Sequence, residues 1–419
     1  MPVKLSIGLR ERLTLFSKPP SPSDPPLRLP LELILHILSL ASASFAHPDL
    51  PEAEHFRASL ARVSRLFSHL YARRKWRTVG MESGAQLVEL LQRLKMSSKE
   101  EKEWIEGVEV DNLAEYYSRK RLFEYWGKFV KTCPNVGFVQ LGCEEVEQKM
   151  YEQVEGYDLC KMRGITTLRL INVVLGNHSP PGKFYKLKPP PRTPLIPSGL
   201  RHLVLSNTWL EFTPDVTISS LWPVEKDVQL VSLFLANLKA AGFSIGRDTL
   251  VPACTELVRR ASSSLVALHF SRKLKSFDPV DPLFTSDFSL PKLRILSLSI
   301  KFLAADALKA VPQVEYLALT LCDFDVDYLA PQLAAIQAAV DLLLPVFSSS
   351  SPSPLLQNLR TLVLPVPYIE AAGSLRGMYG EVREKAEGRG VKVEFAVAGE
   401  EDVETKFRLM VREELGEKM

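Results

Sequence analysis

A six-residue pattern, apolar-x-x-apolar-x-apolar, returns through most of this chain and constrains its fold more than any other feature. It runs at Ile105 to Val110, Val136 to Leu141, Ile165 to Leu170, Leu200 to Leu205, Leu265 to Phe270, Leu293 to Leu298, Val314 to Leu319 and Leu359 to Leu364. The apolar-x-apolar end has the two-residue period of a strand. Residues that turn a chain stand just before most copies: Asn135, Gly164, Gly199, Ser264, Pro291, Pro312 and Asn358. Between copies the period changes to that of a helix. Leu87, Leu90, Leu91 and Leu94 share one helical face; so do Leu250, Cys254, Leu257, Val258 and Ala261, and Leu329, Ile336, Val340 and Leu343. Strand alternating with helix predicts an α/β fold with a parallel sheet.

Most copies start 21 to 45 residues apart, with one gap of 65 between Leu200 and Leu265. Leu230 to Leu235 falls in that gap and fits the pattern. The apolar run around it, VEKDVQLVSLFLANLKAAG, also keeps a 3.6 period, and we read it as a helix. The array resembles an irregular leucine-rich-repeat solenoid, spanning residues 81 to 398. It departs from that family's pattern at the polar ladder position. Cys322 lies three residues after Leu319, as the family requires, whereas Asn172 and Asn207 come one residue early. The competing architecture is a closed, doubly wound sheet of the kind that houses nucleotide-binding enzymes and hydrolases. No G-x-G-x-x-G, G-x-x-x-x-G-K-[ST] or G-x-S-x-G occurs to support it.

A different unit precedes the array. In LRLPLELILHILSLA, Leu33, Ile34, Ile37, Leu38 and Ala41 form one broad apolar stripe, and Pro30 suits the first turn of the helix that carries it. A second amphipathic helix follows, with Phe56, Leu60, Val63, Phe67 and Leu70 at steps of four and three; Trp76 and Val79 close the unit. Leu29-Pro30, Glu32-Leu33, Ile37-Leu38, Val63-Ser64-Arg65-x-Phe67 and Trp76 together resemble the F-box, over residues 27 to 80. The link Ala41 to Ser59 is longer than is usual in that family. The resemblance implies a small helical bundle that binds a Skp-type adaptor of a cullin-RING complex through Leu29, Pro30, Leu33, Ile34, Ile37, Leu38, Val63 and Phe67.

What remains bounds the function. Fifty-two basic against 49 acidic residues leave a net charge of +3, without the basic surplus that a general nucleic-acid binder needs for phosphate affinity, so no nucleic-acid partner is expected. Five cysteines, with no C-x-x-C pair, suit a reducing compartment. Residues 1 to 26 are proline-rich and read as a disordered lead-in, and no apolar run is long enough for a membrane span. A soluble protein of the cytoplasm or nucleus is expected. The seven histidines are scattered, and neither a metal, a cofactor nor a catalytic constellation is expected. Residues 399 to 419 read as a charged amphipathic helix able to cap the end of the array.

The expected function is that of the substrate-receptor subunit of an SCF-type ubiquitin ligase, itself without catalytic activity. The F-box would hold the adaptor and the repeats an unknown protein target. Strand positions between leucines point away from the core, which assigns Arg169, Arg201, His202, Arg294 and Arg360 to an exposed face suited to an acidic or phosphorylated target segment. A repeat scaffold that binds no adaptor, and an α/β enzyme with a closed sheet, are the alternatives.

Overall fold

The computed structural model describes residues 76–112, 116–142, 152–155, 164–176, 199–211, 229–241, 250–271, 288–321, 329–348, 355–366, 377–397 and 403–415, with Leu159, Met162 and Phe284 singly. The F-box-like stretch before Trp76 lies outside the described residues. The chain divides into two units, Met1–Arg77 and Thr78–Met419. Val79, read from sequence as closing the first unit, is instead paired with Val108 in the sheet of the second.

That sheet is parallel and has eleven strands: β1 (Thr78–Ser83), β2 (Gly107–Asn112), β3 (Phe138–Gly142), β5 (Thr167–Ile171), β7 (His202–Ser206), β9 (Ser232–Ala236), β11 (Ala267–Ser271), β12 (Ile295–Ser299), β13 (Tyr316–Thr320), β14 (Thr361–Val366) and β15 (Lys392–Val397). They lie side by side in the order in which the chain makes them. A sheet that never reverses its strand order has no switch point, the place where doubly wound sheets open a ligand crevice. In a parallel sheet of this strand order, crossovers of one hand put their helices on a single face.

The repeat pattern maps onto this sheet position by position. Leu168, Leu203, Leu233, Leu268, Leu296, Leu317 and Leu362 are direct cross-strand partners in one unbroken row, and each is wholly buried. The first apolar residue of every copy is buried as well, just before its strand begins. Backbone bonds join the copies at that edge. One carbonyl accepts two successive amides of the next copy: Thr166 O from Arg201 and His202, Val231 O from Val266 and Ala267, Arg294 O from Glu315 and Tyr316. The helices α1 (Gln86–Leu94), α2 (Lys99–Glu103), α3 (Tyr116–Thr132), α4 (Leu250–Ala261), α5 (Ala305–Ala310), α6 (Leu329–Ser348) and α7 (Gly380–Glu387) are the crossovers. Their expected apolar faces are inside: Leu87 and Leu94 of α1, Cys254 and Val258 of α4, Ile336 and Leu343 of α6. In α2, the charged run Lys99 to Glu103 buries nothing and starts on a capping box between Ser98 and Glu101.

Leu230 to Leu235 corrects the sequence reading. It is strand, not helix: Ser232 to Ala236 form β9, buried at all five positions. A strand covered on both faces is apolar throughout, so periodicity alone does not distinguish it from a buried helix.

The early asparagines also acquire a role. Asn172, Asn207 and Asn237 each have φ near +50° and follow β5, β7 and β9 directly. Asparagine tolerates this left-handed conformation better than other residues with a Cβ. Each turns the chain into a short second strand, β6 (Val173–Gly176), β8 (Trp209–Glu211) and β10 (Lys239–Ala241), which with β4 (Glu152–Glu155) makes a four-stranded parallel sheet. The amide of Asn172 donates to Ser206 O, that of Asn207 to Ala236 O and that of Asn237 to Ser271 O. This is a backbone ladder at the position where the family's usual pattern would place side chains.

Candidate functional surface

The face of the large sheet opposite the leucines is the surface expected to meet a target. Its central row is set by register: Gln140, Arg169, Val204, Phe234, His269, Ser297, Ala318, Val363 and Glu394 are successive neighbours. It is not open to solvent along its middle. A C-terminal helix, α8 (Val403–Leu415), lies on it, and Phe407 and Val411 form one buried cluster with Val204, Phe234, Ala236, Ala267 and Ile295. The Phe407 ring stands 5.4 Å from that of Phe234 and edge-on, at 6.1 Å, to His269. Two turns later Glu414 is bonded to Arg294, just ahead of β12. The helix therefore passes from the strand centres at Phe234 and His269 toward the beginning of β12. The tail does not cap the end of the array; it covers the face of the sheet.

On this face His202 and His269 are hydrogen-bonded to serines of the sheet. His202 Nδ1 is 2.8 Å from Ser232 Oγ. His269 Nδ1 is 2.8 Å from Ser297 Oγ, and its Nε2 is 3.0 Å from Ser271 Oγ. Phe234 stacks on the His269 ring at 4.2 Å. A neutral imidazole has one donor and one acceptor, which these two hydroxyls match. Burial holds the His269 pKa down at about 3, because a charge there would be stripped of water.

The residues expected to bind a target divide accordingly. His202 is buried, not exposed, and so are its outward-facing companions Thr167, Val204, His269 and Ser297. Arg169 is half-buried, and its guanidinium donates to Gln140 Oε1. Arg201, Arg294 and Arg360 are exposed, but they sit at the strand beginnings and not on the central row. Three strand spacings, about 14 Å, separate Arg201 from Arg294. Glu315 lies between the other two, 3.7 Å from Arg294 Nε and 3.1 Å from Arg360 Nη1. The four arginines thus do not form one basic patch, and two already face carboxylates. An open depression of about 460 Å3 near Arg201 is lined by Gln229, Val231, Ser263, Ser264 and Lys292.

Sequence reasoning missed that this face is covered. The signal was present in the composition of the outward positions: Val204, Phe234, Ala267 and Ile295 are too apolar for a solvated sheet surface, and α8 supplies the matching stripe.

Among the described residues no cluster of histidine, cysteine and carboxylate side chains is placed to hold a metal ion, and no helix is long and apolar enough to cross a membrane. Comparison with protein-family models, with curated proteins and with solved structures found no match to this chain.

Proposed function

We propose that the chain is the substrate-receptor subunit of an SCF-type ubiquitin ligase. The observation that carries this reading is the F-box-like stretch at Leu27 to Val79: Leu29-Pro30 and Glu32-Leu33 opening an apolar helix, with Val63, Phe67 and Trp76 following in order. Its position also supports the reading. The stretch falls almost wholly in the unit that ends at Arg77, ahead of a long repetitive sheet of the sort suited to holding another protein. The receptor's contribution is proximity: a target lysine held beside a ubiquitin-charged enzyme reacts at raised effective concentration. The chemistry then belongs to other subunits.

The test is adaptor capture by the full chain and by Leu33→Asp with Ile37→Asp. A charge left unpaired in a dry interface costs several kcal/mol, so the double variant is expected to lose the adaptor while the Thr78–Met419 unit melts as in the parent. Adaptor binding retained by the double variant overturns the proposal. Failure of the parent chain to bind adaptor at micromolar concentration also does so, and leaves the scaffold reading.

A further inference from the structure

We infer that Ser263 is a phosphorylation site for a protein kinase that reads arginines, and that Arg201 and Lys292 form the seat for the phosphate it acquires. The stretch is Arg259-Arg260-Ala261-Ser262-Ser263-Ser264. Three serines follow two arginines, and their surroundings tell them apart. Ser264 Oγ is bonded to Leu230 O and Ala261 O, and Ser262 is half-buried. Ser263 is exposed, in the turn that leaves α4 for β11. Arg260 and Arg259 stand three and four residues ahead of it, where carboxylates of a kinase cleft can pair with them. Both arginines face Glu256, and Arg259 also lies 5.8 Å over the Phe288 ring. These contacts belong to the last turn of a helix, which opens locally at little cost, and the ion pairs are of the exposed kind that exchange readily.

Ser263 also lines the open depression of about 460 Å3, which it shares with Arg201 and Lys292. Strand order explains why they converge. Arg201 comes just ahead of β7 and Lys292 just ahead of β12, and these strands lie two spacings and one spacing from β11, about 10 and 5 Å. A phosphoserine carries nearly two negative charges and three acceptor oxygens, which the arginine fork and the lysine ammonium can share. Arginine has five donors, so a contact that Arg201 already makes leaves others for phosphate. The two cations decide the effect of the modification. At the C-terminal end of α4 an added anion meets the helix carbonyls, which repel it. Arg201 and Lys292 reverse that balance and tie the turn to the coils on either side. In the reaction the serine Oγ attacks the γ-phosphorus of ATP. The new O–P bond replaces the bond to the β-phosphate oxygen, ADP leaves, and the hydroxyl proton passes to the base of the kinase.

The inference stands apart from the ligase reading, because it is read out without adaptor. The full chain, and a peptide of residues 254 to 268, are each incubated with ATP and the catalytic subunit of cyclic-AMP-dependent protein kinase, and phosphate is located by mass spectrometry. Near-stoichiometric phosphate on Ser263 of the folded chain is expected, with none there in Ser263→Ala. In the peptide, Arg259→Gln with Arg260→Gln should slow the reaction at least tenfold. The seat is read by phosphorus NMR. Adjacent cations favour the dianion, so the second phosphate pKa should lie about one pH unit lower in the folded chain than in the phosphopeptide. It should return to the peptide value in Arg201→Gln with Lys292→Gln. A parent chain left unmodified overturns the inference whether or not the peptide reacts, as does phosphate on Ser262 or Ser264 instead. An unchanged rate in the peptide without its arginines also overturns it. Equal pKa values in chain and peptide, or a value indifferent to loss of Arg201 and Lys292, remove the seat and with it the inference. If the double variant loses its circular dichroism, Lys292→Gln alone decides by the same comparison.

Discussion

His269 makes the stability of the sheet depend on pH in a way that can be separated from every carboxylate in the chain. Its ring is buried, stacked on Phe234 with Phe407 edge-on to it, and its pKa is lowered from 6.5 to about 3. Below pH 6.5 the unfolded chain takes up a proton at this site that the folded chain refuses until near pH 3. Stability therefore falls as pH falls through that window, and is flat above it. The slope is about 1.4 kcal/mol per pH unit, so moving from pH 7.5 to 5.0 costs about 2 kcal/mol at this one residue. His269→Gln keeps one donor and one acceptor for Ser297 and Ser271 but does not titrate. Urea unfolding of parent and variant at the two pH values gives a difference of differences in which the carboxylates cancel. The parent should lose about 2 kcal/mol more than the variant. An equal loss would show that His269 is hydrated or charged in the folded protein, and would remove the sealed contact between α8 and the sheet.

Other consequences are simpler to read. Asn207→Ala places a methyl-bearing residue at φ +49°, and should cost about 1 kcal/mol by thermal or urea unfolding, whereas Asn207→Gly should be close to neutral. A substantial cost for Gly and none for Ala would show that the asparagine side chain, not the backbone conformation, is what β7 needs. Cys133 is fully buried and its thiol is pushed up to about 12 by loss of hydration, so alkylation by iodoacetamide at pH 8 should proceed only after denaturation. Labelling of the native chain at Cys133 within minutes would contradict its burial. In hydrogen exchange, Phe407→Ala should strip protection from α8 while leaving β2 and β3 unchanged; equal loss across the sheet would mean that the tail is integral to the fold.

Much of the architecture was legible because one physical requirement repeats. Each copy must bury its first apolar residue and its two strand leucines, and those three positions were enough to place β2, β3, β5, β7, β11, β12, β13 and β14 to within about two residues. The copy at Leu230 escaped because Phe234 and Ala236 are buried too. With both faces covered, alternation vanishes, and the residues that would have marked a strand by contrast are no longer polar. Asn172 and Asn207 were visible as exceptions to a familiar spacing. Their meaning, a left-handed turn into a second sheet, depends on φ and on a partner strand some thirty residues away, and neither is written in the local sequence.

The candidate site was less legible for a related reason. Alternation identifies which side chains leave the leucine core, but it does not say what meets them. Arg169, Arg201, His202, Arg294 and Arg360 look equivalent in a strand pattern, yet their surroundings make them different. His202 lies in a buried row with Ser232, Arg294 is held by Glu414, and Arg360 shares Glu315 with it. The arithmetic of exposure explains the choice made at that face. A solvated sheet surface would carry polar residues at Val204, Phe234 and Ile295. The outward positions Val204, Phe234, Ala267 and Ile295 instead meet Phe407 and Val411 of α8, so the exposed arginines border a covered face and not an open one.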